Sequence, residues 1–324
     1  MRTAYCFTPD RTFFPPAIRT IASLIEAEPK AGHEIFLICE PSDVSLGFDR
    51  LARPLRDRIE LLTVDFARFD RSLDRSLKTS GRFSRAVFRR LFFDEVLPAR
   101  FERIVSIDSD MLIVRPGLTR LTSLDLAGKP LAAAYDMIFL MDFKRDALAR
   151  RFQAYRRSLG LDLETPYFNA GLMAIDRAEW RRRALTERVV KALRDTPARF
   201  PFNEQSALNA TLRGDFAPLS PRFNFMGDFF LLDLERRLEP IVLHFVNAPK
   251  PWELARWRGE ARFAEDYRDW FLGSPWPELA EAPAAPPWRR SRPPLTRLRQ
   301  DFAKRLSAFL GRTQFIDGKL TFRG

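Results

Sequence analysis

The sequence has few cysteines, few histidines and no long hydrophobic run. Two cysteines and two histidines occur among 324 residues. Cys6 and Cys39 both fall within predicted core strands, so a disulfide framework is not expected and a reducing compartment is favoured. There is no run of about 18 apolar residues that could span a membrane, and the N-terminus lacks the apolar core of a signal peptide. We therefore predict a cytoplasmic protein.

The basic charge is the most unusual property of the composition. Lysine and arginine number 54 against 42 acidic residues, which gives a formal charge of +12 and a pI near 10.2. Such an excess indicates an anionic partner, either nucleic acid, acidic lipid or a phosphorylated substrate. The basic and aromatic residues form no recognisable nucleic-acid-reading module, so we predict no nucleic-acid partner.

The order of the apolar segments predicts an α/β domain. A strand at 3–8, a helix at 16–28 and a strand at 34–39 form a βαβ unit, which implies parallel strands and a right-handed crossover. Further strands are predicted at 59–64, 103–114, 131–135, 168–175 and 240–245, and helices at 83–97, 142–159, 177–194 and 203–212. The polar stretch 66–82 is predicted to be a solvated loop. We expect a Rossmann-like, mixed but mainly parallel open sheet flanked by helices over residues 1–275.

The composition changes after Trp276. A cluster of prolines predicts an extended linker, and residues 295–310 then carry apolar residues at helical spacing among arginines and lysines. We therefore separate residues 276–324 as a Pro-rich linker and a helical, basic tail. The apolar side chains of this helix have two interpretations: peripheral binding to the anionic inner face of a membrane, or packing on the domain's own core. These side chains are Leu298, Phe302, Leu306 and Phe309.

Two carboxylates, Asp108 and Asp110, follow the buried run that begins at Arg103. Open α/β sheets place their ligand sites at the carboxyl ends of strands, and Asp-x-Asp there can offer oxygen ligands to a hard divalent cation. Asp and Ser are also ordinary turn residues. His244 lies near the end of a later apolar strand and is followed by Lys250. An imidazole with two carboxylates suits manganese better than calcium, although a histidine in an apolar strand is often a core residue.

Four sequence blocks resemble motifs of glycosyltransferase family 8. Val105–Val114 resembles "LDxDxxV", Tyr167–Gly171 "YFNAG", Arg222–Met226 "RFNFM" and His244–Trp252 "HxxGxxKPW". They occur in the family's order, and the resemblance covers roughly residues 3–257. It is strongest to the bacterial lipooligosaccharide α-galactosyltransferase type. The resemblance implies a GT-A fold and retaining transfer of galactose or glucose from a UDP-sugar, with Mn²⁺ or Mg²⁺. It also implies a glycan or lipid-linked saccharide acceptor, as in lipopolysaccharide or capsule assembly.

The resemblance also implies roles for individual residues. The implied metal ligands are Asp108, Asp110 and His244. The residues implied to bind the UDP-sugar are Thr8, Asp10, Arg90, Ser109, Asn247 and Lys250. The residues implied to surround the donor sugar and to serve catalysis are Asp136, Asn169 and Gln205. Arg90 is alternatively a helix-surface charge, because Arg89 is an equally basic neighbour.

The chain departs from the family pattern at three positions. Glu204 stands where the family commonly has the first aspartate of "DQD", Asn247 replaces a glycine, and Arg11 follows Asp10 in place of asparagine. Three other functions stay open from the residues. A sugar nucleotidyltransferase would want a Gly-rich phosphate loop near the N-terminus, a basic binding protein would need a reader module, and a self-glucosylating protein would need an acceptor tyrosine.

Overall fold

A seven-stranded sheet lies at the centre of the computed structural model, which describes residues 1–44, 47–66, 84–195, 202–232, 234–253, 263–280 and 296–320. The loop predicted at 66–82 lies outside these residues from 67 onwards, as does most of the predicted Pro-rich linker. The strands are β1 (Thr3–Phe7), β2 (Glu34–Cys39), β3 (Ile59–Thr63), β4 (Arg103–Ile107), β5 (Met111–Ile113), β6 (Leu131–Tyr135), β7 (Phe168–Asp176), β8 (Ala217–Leu219), β9 (Phe225–Met226) and β10 (Val242–His244).

The large sheet has the order β3-β2-β1-β4-β7-β6-β8. Parallel pairs join β1 to β2 and β4, β2 to β3, and β6 to β8, whereas β7 runs antiparallel to both β4 and β6. A second, small sheet has β10 at its centre, antiparallel to β5 and parallel to β9. The architecture is therefore the mixed, mainly parallel open sheet that the sequence predicts.

Helices cover both faces of the large sheet. They are α1 (Phe14–Ala27), α2 (Arg53–Arg56), α3 (Phe93–Val96), α4 (Arg120–Ser123), α5 (Met137–Leu140), α6 (Ala147–Ser158), α7 (Arg177–Arg182), α8 (Leu185–Asp195), α9 (Asn203–Leu212), α10 (Asp228–Leu231), α11 (Glu235–Leu238), α12 (Ala264–Leu272) and α13 (Arg297–Arg312). Within the described residues, none is both long and apolar enough to cross a bilayer.

The central strands are apolar along their whole length because both of their faces are covered. In β1, Tyr5 and Phe7 join the apolar cluster that contains α1, while Ala4 and Cys6 join the cluster that contains α8 and α9. This is the two-residue alternation of a strand. Residues 3–7 are all buried, so both faces of this strand are packed and only its ends are left to hold a site.

The C-terminal helix α13 packs on the domain. Phe302 and Leu306 are 2% and 0% exposed within the core cluster of α1, and the ring of Phe309 lies 4.6 Å from that of Phe143. Leu298 is 81% exposed. The structure thus contradicts the membrane interpretation for Phe302 and Leu306, since protein already covers these side chains. Phe309 is half-buried against the same core, which agrees with packing on the domain.

Four predicted elements differ in detail from the structure. The helix predicted at 142–159 is α-helical only over Ala147–Ser158, because Arg145, with a φ of +59°, separates it from a 3₁₀ turn at Met141–Lys144. The strand predicted at 103–114 is two strands in different sheets, because the Asp-Ser-Asp turn separates β4 from β5. The helix predicted at 83–97 is mostly a 3₁₀ segment, Arg85–Phe92, followed by α3. The helix predicted at 177–194 is broken into α7 and α8 at Ala184, which has a φ of +47°.

Candidate active site

The Asp-Ser-Asp segment forms the turn that joins the two sheets. β4 ends immediately before Asp108 and β5 begins immediately after Asp110, so both carboxylates lie at the carboxyl end of β4. The hydroxyl of Thr20 in α1 lies within hydrogen-bond distance of the carbonyl oxygens of Ser109, at 3.0 Å, and Met111, at 2.8 Å. The first helix therefore anchors the turn and fixes the backbone from which the two carboxylate side chains extend.

The small sheet brings His244 to this turn. β10 pairs with β5 so that His244 lies opposite Met111, and the Phe245 N–H donates to the carbonyl oxygen of Asp110 at 2.9 Å. The imidazole Nε2 lies 3.3 Å from Asp110 Oδ1 and 3.8 Å from Asp108 Oδ2. The structure thus brings together the three side chains that the sequence predicts as metal ligands.

These three side chains fit a divalent cation. One ligand atom from each lies within 4.8 Å of the other two. Adjacent ligands of a six-coordinate ion with bonds of about 2.1 Å lie about 3 Å apart, so a small closing movement suffices. Burial acts to raise the pKa of Asp110, but Lys250 and His244 outweigh it and hold that pKa well below its usual range. The carboxyl group is therefore ionised, as a cation ligand must be.

Gly171 allows the imidazole to approach β7. A Cβ at this position would collide with Cε1 of His244 and would lie 2.8 Å from Cε of Met111 and 2.9 Å from Oδ1 of Asn169. Contacts this short force a shift of the neighbouring groups, and all three are themselves buried. The glycine of the "YFNAG" block is thus required by space beside His244.

Two basic side chains pair with the carboxylate oxygens that do not face His244. Lys250 Nζ lies 2.6 Å from Asp110 Oδ2 and also donates to a backbone carbonyl oxygen at 2.6 Å. Arg90 pairs with Asp108 Oδ1 and donates to another backbone carbonyl oxygen at 2.6 Å. Arg90 is 6% exposed, which excludes the interpretation as a helix-surface charge. Burial acts to lower the pKa of Arg90, but its carboxylate neighbours outweigh this effect and raise it.

Asp136, Asn169 and Gln205 form a second cluster beside the turn. Asp136 accepts from the Ile138 N–H at 2.7 Å, from Asn169 Nδ2 at 2.8 Å and from Gln205 Nε2 at 3.3 Å. Burial raises the pKa of Asp136 and these three hydrogen bonds act in the opposite direction. The Gln205 oxygen accepts from the Ala170 N–H at 3.0 Å. Both ends of this amide are therefore engaged, one by the Ala170 N–H and the other by Asp136.

Three of the predicted nucleotide-binding residues, Thr8, Asp10 and Asn247, lie on loops that follow strands. Thr8 and Asp10 follow β1, which is the neighbour of β4, and both are half-buried. One carboxylate oxygen of Asp10 accepts from the Phe13 N–H at 2.9 Å, just before α1 begins. Asn247 follows β10, on the segment that leads to Lys250. A role of these residues in nucleotide binding stays a prediction.

Arg89 points away from the acidic turn, although it is adjacent to Arg90. Its guanidinium donates to the Pro9 carbonyl oxygen at 2.9 Å and lies 2.6 Å from Asp43 Oδ2. It therefore fixes the loop after β1, between Thr8 and Asp10. Sequence reasoning could not separate the two arginines, because their 3₁₀ segment does not follow the helical period assumed for it.

Sequence reasoning gave no site role to Glu204, Asn224 or Thr20. Glu204 is 6% exposed and lies 3.6 Å from Arg90 Nε. Burial and the charge of Asp108 raise the pKa of Glu204 to about 7, while Arg90 acts to lower it. Glu204 and Asn224 lie within the blocks that resemble "DQD" and "RFNFM", so those blocks could have indicated them. Thr20 lies in a helix outside any such block, and nothing in the sequence indicates its role.

An open sheet of this order, with an acidic turn that receives a histidine from a second sheet, defines a GT-A-type domain. The sequence profile described as "Glycosyl transferase family 8" matches residues 4–255, and the chain belongs to that family. A crystal structure of the galactosyltransferase LgtC in complex with donor and acceptor sugar analogues has a TM-score of 0.65 at 19% identity, over 90% of this chain and 100% of that one. This likeness confirms the predicted GT-A fold.

Relatives at the sequence level match the chain in part. General stress protein A of Bacillus subtilis (strain 168) is 28% identical over 209 residues, which are 60% of this chain and 66% of that protein. A lipopolysaccharide 1,2-glucosyltransferase of Escherichia coli (strain K12) is 23% identical over 179 residues, 52% of this chain and 50% of that protein. The chain thus spans about half to two thirds of the length of these relatives.

Proposed function

We propose that this chain is a metal-dependent hexosyltransferase that moves galactose or glucose from a UDP-sugar to a saccharide acceptor with retention of configuration. One observation carries the proposal: Asp108, Asp110 and His244 converge at the carboxyl end of β4 beside Lys250. Family membership supports sugar transfer over nucleotidyl transfer or a purely basic binding role. The name of the E. coli relative supports a lipopolysaccharide-type, lipid-linked glycan as acceptor. A cytoplasmic location stays a prediction.

Each predicted site residue has a role in this proposal. The ligands of Mn²⁺, or of Mg²⁺ in its place, are Asp108, Asp110 and His244. The residues that hold UDP and its diphosphate are Thr8, Asp10, Arg90, Ser109, Asn247 and Lys250. The residues that surround the donor sugar are Asp136, Asn169 and Gln205.

The chemistry requires stabilisation of a departing diphosphate. Breaking the anomeric C–O bond moves negative charge onto the UDP leaving group, and a bound divalent cation would act there as a Lewis acid. Lys250 and Arg90 lie on either side of the acidic turn and add fixed positive charge, which favours the transition state over the ground state. Because charge stabilisation replaces protonation of the leaving group, no general acid is required.

The surroundings of Gln205 favour attack from the same face as the leaving group over a covalent intermediate. An amide is a poor nucleophile, and both ends of this amide already bond to Ala170 and Asp136. We expect Gln205→Ala to retain measurable turnover, at a reduced rate. Complete loss of turnover with unchanged donor binding would contradict same-face attack.

The test is release of UDP from a panel of UDP-sugars in the presence of Mn²⁺, with and without candidate saccharide acceptors. UDP-galactose or UDP-glucose is expected to be hydrolysed slowly alone and faster with an acceptor, and EDTA is expected to stop both reactions. Galactose and glucose differ at one hydroxyl group, so both are needed. Metal-independent turnover, or no turnover and no binding of any UDP-sugar, would refute the proposal.

A further inference from the structure

A line of side-chain hydrogen bonds connects Asp136 to His244 through two asparagines. Asn169 Nδ2 donates to Asp136 Oδ2 at 2.8 Å, and Asn224 Nδ2 donates to Asn169 Oδ1 at 2.8 Å. Oδ1 of Asn224 then lies 2.9 Å from Nδ1 of His244. All four side chains are buried, and Asn224 is 1% exposed. If one of these buried hydrogen bonds is lost, no water molecule can satisfy the group that is left, so each bond helps to hold the arrangement.

A backbone N–H fixes the direction of this line. The Gly171 N–H donates to the side chain of Asn169 at 2.9 Å, and a backbone N–H can only donate. The atom of Asn169 that it meets must therefore be the oxygen. Because Asn224 meets that same oxygen, it must present its NH₂ group there and its own oxygen to His244. The hydrogen bond to Asn224 then requires a proton on Nδ1 of the imidazole.

The carboxylates of Asp108 and Asp110 favour a proton on the other ring nitrogen of His244, Nε2. Asp108 and Asp110 face Nε2 of His244, and a neutral imidazole carries one proton. If no acceptor lay beside Nδ1, the proton would favour Nε2, where carboxylate oxygens accept it. A proton there occupies the lone pair that a cation needs. The side-chain oxygen of Asn224 keeps the proton on the other nitrogen.

We propose that Asn224 is a positioning residue for the metal centre, which holds His244 as the tautomer whose Nε2 can bind a cation. This inference rests on the proposed function, because it requires that a cation binds at His244. Histidines that ligate metals commonly donate their second N–H to a polar partner, and removal of that partner lowers metal affinity by about 10- to 100-fold. Here the partner is the residue immediately before β9, the strand that pairs with the end of β10.

The tautomer can be measured directly because the chain has two histidines. In the full-length protein labelled with ¹⁵N-histidine, long-range ¹H–¹⁵N spectra at pH 9 without metal report both imidazoles, and His33 serves as the internal reference. The signals of His244 are identified by their absence in His244→Gln. We expect a protonated Nδ1 in the wild type, a shift of the proton towards Nε2 in Asn224→Ala, and no change at His33.

Calorimetric titration with Mn²⁺ at pH 7.5 gives a second readout. Asn224→Ala is expected to bind Mn²⁺ about 10- to 100-fold more weakly than the wild type. Asn224→Asp keeps an oxygen opposite Nδ1 but loses the NH₂ group that donates to Asn169, so it should keep the tautomer and bind Mn²⁺ more tightly than Asn224→Ala does. Asn209→Ala is the matched control, since it removes another buried amide, one that bonds to the Phe168 backbone at 2.9 Å. It should lower thermal stability and leave the tautomer and the Mn²⁺ affinity unchanged.

The outcomes separate three cases. A wild-type tautomer and affinity in Asn224→Ala would overturn the proposal. Losses of Mn²⁺ affinity in Asn224→Asp and Asn209→Ala that are as large as the loss in Asn224→Ala would also overturn it, because the effect would then be general destabilisation. A wild-type chain that binds no Mn²⁺ would contradict the proposed function, and this result is distinct because the spectra are recorded without metal.

Discussion

The chain's two histidines lie beside carboxylates at opposite ends of the large sheet. At the amino end of β2, His33 Nε2 lies 2.8 Å from Glu28 Oε2. The other oxygen of Glu28 accepts from the Gly117 N–H at 2.5 Å and lies within hydrogen-bond distance of the backbone N–H and hydroxyl of Thr119. Groups from three separate positions of the chain, His33, Gly117 and Thr119, thus surround this carboxylate. His33 is 8% exposed, so the pair is buried.

At the carboxyl end of β4, the carboxylates are engaged differently. Asp108 and Asp110 each place one oxygen against a basic side chain, Arg90 or Lys250, and the other oxygen towards Nε2 of His244. Two acids and one imidazole nitrogen therefore converge on one point from separate elements. The comparison teaches that a buried histidine–carboxylate pair is not by itself a site. Convergence at the carboxyl ends of the strands distinguishes the functional candidate from the structural pair.

Asp110→Asn should have the largest effect, because it removes a ligand charge from the proposed metal site with little change of shape. We expect Mn²⁺ affinity to fall at least about 100-fold and kcat/KM for UDP-sugar turnover at least about 1000-fold. Calorimetry and UDP release measure these quantities, and circular dichroism checks that the fold is retained. If this variant bound Mn²⁺ with wild-type affinity, the cation would have to bind elsewhere in the protein.

Gly171→Ala should come next, because a methyl group there collides with the imidazole of His244. Overpacking of a buried site costs about 1–3 kcal/mol of unfolding free energy, and displacement of the ring should weaken Mn²⁺ binding about tenfold. Gly32→Ala is the control, since a Cβ there meets no atom within 4 Å. Denaturant unfolding and Mn²⁺ titration measure the two effects, and equal behaviour of both variants would contradict the steric argument.

Glu28→Gln tests the structural pair at the other end of the sheet. Burial acts to raise the pKa of Glu28, but His33 and the backbone N–H groups of Gly117 and Thr119 lower it from 4.5 to about 2. A lowered pKa contributes stability that is present above pH 4.5 and is lost as the pH falls towards 2, at about 1.4 kcal/mol for each pH unit. We therefore expect a loss of about 3 kcal/mol at pH 6 and little difference near pH 2.

The same Glu28→Gln variant should retain wild-type affinity for Mn²⁺, because no part of this pair lies at the carboxyl edge of the sheet. Denaturant unfolding from pH 2 to pH 6 and Mn²⁺ titration at pH 7.5 separate the two effects. A weaker Mn²⁺ affinity without a loss of stability would contradict the assignment of Glu28 and His33 to a purely structural role.

The local part of the fold was predictable from the sequence. The β1–α1–β2 unit follows from apolar periodicity over fewer than forty residues, and the structure differs from the prediction by about two residues at its ends. The candidate site was predictable only through motifs, because Asp108 and His244 are separated by more than a hundred residues. No periodicity indicates that β10 pairs with β5, yet this pairing is what brings the imidazole to the acidic turn.

The remaining features depend on contacts between distant segments. The burial of Arg90 depends on Asp108 and Glu204, which lie on other elements. The docking of α13 depends on apolar side chains far upstream, such as Phe143. An amphipathic pattern in a basic helix predicts an apolar face, but it cannot distinguish a lipid surface from the protein's own core. Such features require the tertiary structure.

Glu204→Gln should have the smallest effect, opposite in sign to that of Glu28→Gln. Burial raises the pKa of Glu204 from 4.5 to about 7, although Arg90 acts to lower it. A carboxyl group with a raised pKa keeps its proton longer in the folded state, so its contribution to stability falls as the pH rises from 4.5 to 7. We expect the stability of the variant relative to the wild type to increase by about 2 kcal/mol between pH 5 and pH 8.

The measurement is denaturant unfolding in EDTA at both pH values, with the exposed Glu187→Gln as control, for which we expect less than about 0.5 kcal/mol of change. A constant difference between variant and wild type would show that Arg90 keeps Glu204 ionised, as the donors around Glu28 do at the other end of the sheet. A pH-dependent difference would show that the candidate site contains a carboxyl group with too few donors of its own. Glu204 would then differ from Glu28, whose neighbours hold its pKa at about 2.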